Sequence, residues 1–218
     1  MTQLFAPMLV VGAIALYVFD SAMLLYGNEF VLVRRNGRWR LARPGALEFS
    51  SRRPYIPNPF TPHRPQFRLH WALSGDGHDG DGVHELPPQD DFLRAISMVG
   101  LGVIPLAVVL AMGPVLLVLG YTSSIYLLAW MAVAYLDVVC LLVLVYRSRI
   151  ALGLATSAFG GLALESLLCA PFALNLVRKI SERRGPRAHP LAFATQVLDY
   201  TDSAHLVACR DELRTRLL

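Results

Sequence analysis

The chain has 218 residues, of which 55% are hydrophobic and only 17% charged, with a formal net charge of +4. Soluble domains carry about 25% charged residues. Here the apolar excess gathers in long runs without a polar face, which argues against a water-soluble core and for membrane helices. Every basic residue except Lys179 is arginine, a bias that fits a GC-rich bacterial genome. The arginines flank apolar runs and accompany no nucleic-acid-binding module. Anionic lipid headgroups are therefore expected as partners and nucleic acid is not.

Residues 4–26 form the first apolar run. At 1.5 Å per residue they cover about 34 Å, enough for a hydrocarbon core of about 30 Å. Met1-Thr2-Gln3 lacks the positive stretch of a secretory signal, and no small-x-small cleavage pattern follows. A retained anchor helix is expected over 1–26, with Asp20 near its C-terminal end.

Residues 27–94 are read as an extramembrane loop. The apolar stretches at 30–33 and 39–41 flank Asn36-Gly37, a pair suited to the φ > 0 positions of a type I′ turn, so a β-hairpin is expected. A further short strand is expected over 46–49. A lone hairpin is marginal in water and needs something to lean on. Five prolines between Pro54 and Pro65 exclude helix and favour an extended strap. Arg52, Arg53, Tyr55, Phe60, Arg64, Arg68 and Trp71 mix cations with aromatic rings along it, and they are the expected contacts to headgroups or a partner. Gly75, Gly77 and Gly80 spell GxGxxG, but Asp76 and Asp79 would repel phosphate and no helix signal follows. The same acidic stretch fails the Ca²⁺-loop pattern. It is read as a solvated linker without metal.

Residues 95–179 are expected to hold three more membrane helices, at 96–119, 125–146 and 150–177. Pro105 and Pro114 should kink the first, and its glycines allow close approach of a neighbour. In the last run Gly153, Ser157 and Gly161 recur every four residues ahead of Glu165, a small-residue ridge suited to helix packing. Residues 180–218 are read as a soluble tail with an amphipathic helix near its end. The expected fold is thus an all-α integral membrane protein with about four transmembrane helices, a small hairpin and proline-rich loop between the first two, and a helical tail.

Orientation stays open. The loop through residue 94 carries ten of the twenty basic residues and the tail eight. Four spans put these two groups on opposite sides, against the positive-inside tendency. A long loop can cross regardless of charge, which leaves both termini cytoplasmic, and this arrangement is favoured. The alternative breaks 150–177 at Gly160-Gly161 and Pro171 into a re-entrant pair.

Asp20, Asp137 and Glu165 are the acids of the apolar runs, and no Lys, Arg or His lies inside any run to pair with them. Asp137 and Glu165 fall near the centres of their spans. They can share a proton or a cation, or each can hydrogen-bond a neighbouring helix and fix its register. Cys140, Cys169 and Cys209 form no CxxC pair, so no redox or zinc motif is indicated. No P-loop, GxSxG or HExxH occurs, and no catalytic residue or cofactor is assigned.

These features point first to a non-enzymatic accessory or scaffold subunit of a bacterial inner-membrane assembly, in contact with membrane lipids and with a membrane-protein partner or further copies of itself. A small transporter or proton-coupled subunit built on the three carboxylates is the alternative. A membrane enzyme acting on lipid at the Arg- and His-rich loop is the third reading.

Overall fold

The computed structural model describes residues 5–26, 29–35, 37–42, 52–57, 60–70, 89–120 and 123–184, with single positions at 194, 198, 204 and 207. In chain order these form α1 (Phe5–Ser21), β1 (Met23–Tyr26), β2 (Glu29–Arg35), β3 (Arg38–Ala42), β4 (Arg52–Tyr55), β5 (Gln66–His70), α2 (Gln89–Val118), α3 (Ser124–Arg147), α4 (Thr156–Leu168), α5 (Ala170–Ala173) and α6 (Leu176–Arg184).

The hairpin forms where Asn-Gly asks for it. Arg35 pairs with Arg38 across a two-residue connection, and Gly37 sits at φ 79. It does not stand alone. β5 pairs antiparallel with the other edge of β2, giving the order β3-β2-β5, and β1 pairs antiparallel with β4 as a second sheet. Side chains alternate across a strand, and β2 uses both faces. Phe30 and Leu32 join Trp39, Phe67 and Leu69 against Phe92, Ala95, Ile96 and Val99 of α2. Val31 turns the other way and packs with Met23 and Leu25 of β1. The phenyl ring of Phe67 stacks between Trp39 (centroids 4.8 Å apart) and Phe92 (6.0 Å). The result is a helix layer, a three-stranded sheet and a two-stranded sheet, in that order.

This architecture overturns the four-span, all-α reading. Two antiparallel sheets with five strands accompany six helices among the described residues. Two of those helices are long and apolar enough to cross a membrane, at Asp90–Leu117 and Ser124–Arg147. The first apolar run fails as a span because it changes structure partway. Its helix ends at Ser21, and Met23–Tyr26 leave it as strand β1. The 17 helical residues reach about 25 Å. The last run breaks at Cys169, whose backbone is extended (φ −148, ψ 101), and restarts with Pro171 in the first turn of α5. That leaves α4 with 13 residues, about 20 Å, against a core of about 30 Å. The strand expected over 46–49, the linker at 75–85 and the tail helices lie outside the described residues.

α2 and α3 pack closely through glycine. A Cβ on Gly113 would meet the Trp130 ring at 2.4 Å, and one on Gly102 would meet Leu141 at 3.1 Å. Trp130 Nε1 donates to the Val109 carbonyl at 2.6 Å, one residue from the carbonyl that Pro114 leaves without its helical donor. The proline strap lies on α2 as well. A Cβ on Gly100 would come within 2.7 Å of the His63 carbonyl oxygen.

Candidate functional site

The polar groups of the helical layer gather where α1 ends and α6 begins. α1 stops with Asp20-Ser21. Ser21 Oγ donates back to the Tyr17 carbonyl at 2.7 Å, a local bond that competes with helix continuation. The same oxygen accepts from Asn175 Nδ2 at 3.0 Å. Asn175 also donates to Asp20 Oδ2 at 2.8 Å. The break after α5 presents Asn175 there, and the turns of α6 bring Arg178, Lys179 and Glu182 to the same place.

Lys179 is the centre of the cluster. Its Nζ lies 2.9 Å from Asp20 Oδ1 and 2.9 Å from Glu165 Oε2, and 5.1 Å from the centroid of the Phe172 ring. One ammonium thus bridges the end of α1 to α4. Arg178 donates to the Asp20 carbonyl and pairs with Glu182 at 3.2 Å, one turn further along α6. Gln66 Nε2 of β5 donates to Glu182 at 3.0 Å, which ties the sheet to α6. Burial pushes the Glu182 carboxyl above its ordinary value, with Arg178 and the Gln66 hydrogen bond opposing the shift. Three carboxylates and two cations therefore hold four elements together.

Sequence reasoning singled out Asp20 and Glu165 but did not see their partner. Lys179 closes the apolar run, and an inventory restricted to residues within runs passes over it. The spacing of Arg178 and Glu182 at i, i+4 was a legible signal. Asp137 sits elsewhere, half-buried on α3. It makes no hydrogen bond or ion pair with Glu165, nor with any other residue among those described.

The small-residue ridge is split. Gly153 lies in the turn after α3 at φ 68, a left-handed position that suits glycine. Ser157 and Gly161 lie on the exposed face of α4, with nothing within 4 Å of a Cβ on Gly161. Of the strap residues, Arg52 stacks over the Tyr26 ring at 4.5 Å, and Arg68 pairs with Glu29 at 2.7 Å while donating to the Leu24 carbonyl. Arg53 is exposed and Tyr55 half-buried on β4; Phe60 is exposed and Arg64 half-buried in the strap, and Trp71 lies outside the described residues.

Chemically the junction is a set of satisfied pairs. Cys169 is close enough to feel Asp20 and Lys179, but burial pushes its thiol up, away from an activated thiolate. Among the described residues no group of three metal-ligating side chains is present. Comparison with family models, curated proteins and solved structures finds no match for the chain.

Proposed function

We propose that the chain is a non-enzymatic accessory or scaffold subunit of a bacterial inner-membrane assembly, held in the bilayer by α2 and α3. The observation that carries this reading is the bridge at Lys179. A carboxylate that binds a transported proton or a substrate must be free to change state. Asp20 and Glu165 share an internal ammonium instead, which suits a fixed joint between elements. The apolar windows of α2 and α3 are 33% and 28% buried, where a soluble core helix would be mostly covered. That supports lipid or a partner helix as their surroundings. The exposed Ser157 and Gly161 face of α4 supports close approach by another helix.

The proton-coupled reading retains one specific support, Asp137, half-buried on a candidate span without an ion partner among the described residues.

Isolation of the tagged chain from bacterial membranes in mild detergent, with quantitative mass spectrometry, tests the proposal. The expected result is a membrane-protein partner at fixed stoichiometry, weakened by Gly161→Leu. A chain recovered alone, with proton flux in vesicles that Asp137→Asn abolishes, would replace it with the second reading.

A further inference from the structure

An apolar groove of about 720 Å³ runs between α1 and α2 and is lined also by the strap, α3 and α5. On α2 its wall runs from Ile104 to Pro114, about 15 Å along the helix axis. Ile104 and Val108 are 40% and 56% exposed, so the groove opens sideways onto the outer apolar surface of a candidate span. Both ends are stopped. His63 and Pro62 line one end, where the His63 carbonyl rests on Gly100; Trp130 lines the other, over Gly113. Gly100 and Gly113 are thirteen residues apart, about 20 Å. A membrane helix of a second copy needs about 30 Å of open channel. A single hydrocarbon chain entering from the side does not.

The strap end differs from the rest of the groove. Burial lowers the His63 imidazole, and the charge it feels is that of Arg64, its neighbour in the chain. Among the described residues no carboxylate pairs with Arg64, whereas Arg68, Arg178 and Lys179 all have acidic partners. Arg64 thus sets a cation, with no carboxylate partner among the described residues, next to the His63 end of the apolar slot.

We propose that this groove holds one acyl chain of an anionic phospholipid, with the headgroup phosphate beside Arg64. This site is independent of the scaffold reading, because it requires no protein partner. The tail lies along Ala107 and Ala111, whose small side chains leave the slot open, and it ends against the Trp130 indole. The neutral His63 serves as a hydrogen-bonding group at the boundary between tail and headgroup.

The test uses the full chain reconstituted in phosphatidylcholine vesicles containing increasing fractions of acyl-brominated phosphatidylglycerol. Tryptophan quenching is read against Trp130→Phe as background. The expected result is quenching of Trp130 that saturates at low mole fraction, with about tenfold preference for phosphatidylglycerol over equally brominated phosphatidylcholine. Ala111→Trp fills the slot from α2 and is read through tightly bound phosphatidylglycerol, counted by mass spectrometry after detergent extraction; it should release that lipid. Ala107→Phe serves the same purpose should Ala111→Trp misfold. Arg64→Gln should retain quenching and lose the preference. Quenching that rises in proportion to brominated lipid, with no headgroup preference, would overturn the proposal by showing only annular lipid. Absence of quenching would overturn it by showing that protein covers the groove.

Discussion

Both ends of α2 carry large apolar side chains, and these meet different surroundings. Phe92, Ile96 and Val99 are fully buried, with Phe92 against Phe67 of the sheet and Arg184 of α6, while Val108, Met112 and Val115 are 56%, 43% and 47% exposed. The apolar character of these residues does not by itself say which are covered. The difference is that the chain supplies its own cover at one end, through the sheet and α6, and leaves much of the apolar surface at the other end exposed. The polar junction of α1, α4 and α6 repeats the lesson. Its charges are matched inside the chain, whereas Asp137, further along the bundle, has no such match among the described residues.

Substitutions at each end should show the contrast most strongly. Phe67→Ala empties the stack between Trp39 and Phe92 and should cost about 3–5 kcal/mol in denaturant titrations of the detergent-solubilised chain. Leu128→Ala, at a residue 72% exposed on α3, should change stability by less than about 0.5 kcal/mol. Equal costs would break the comparison. Lys179→Met should follow, at about 2–3 kcal/mol, because it leaves Asp20, at 17% exposure, with only the more distant Arg178 guanidinium, 3.8 Å away, as a cation. Glu165→Gln should cost less than about 1 kcal/mol, since Glu165 is 44% exposed and solvent screens it.

Glycines sharpen the comparison further. Gly113→Ala drives a methyl group into Trp130 and should destabilise by about 1–3 kcal/mol in the same titration. The pH dependence at Glu182 should be smaller. Its folded pKa is raised, so the folded state holds the proton more tightly than the unfolded one. Stability should therefore rise as pH falls from the raised folded value towards the ordinary carboxyl value, and Glu182→Gln should flatten that slope in thermal melts at stepped pH. Gly161→Ala should have a small effect of the opposite sign. It meets nothing within 4 Å and should stabilise α4 by about 0.5–1 kcal/mol in the isolated chain.

Local rules made parts of this legible in the sequence. Asn36-Gly37 marked the hairpin, and the glycines of α2 marked its seam with α3. Other parts depend on partners distant in sequence. Met23–Tyr26 read as the end of a helix because their apolar character matched the run before them. They form a strand because Arg52–Tyr55 lie beside them. Gln66–His70 looked like the end of a strap and became the third strand of a sheet because β2 had a free edge. The hairpin was expected to need something to lean on. It leans on α2 and on two further strands, so its marginal size no longer argues for a partner. The break at Cys169 placed Lys179 back beside Asp20 and Glu165, a return that no count of charges along a run can reveal.

The central claim is that the Asp20–Lys179–Glu165 cluster is a joint and not a working site. The most direct measurement uses the triple variant Asp20→Asn, Lys179→Met, Glu165→Gln, which removes every charge from the bridge while keeping side-chain size. The account predicts that this variant reaches the membrane at the wild-type level and recovers the same partner at the same stoichiometry. A variant that accumulates and folds normally yet loses its assembly or a proton flux would contradict it, and would return the carboxylates to the centre of the function.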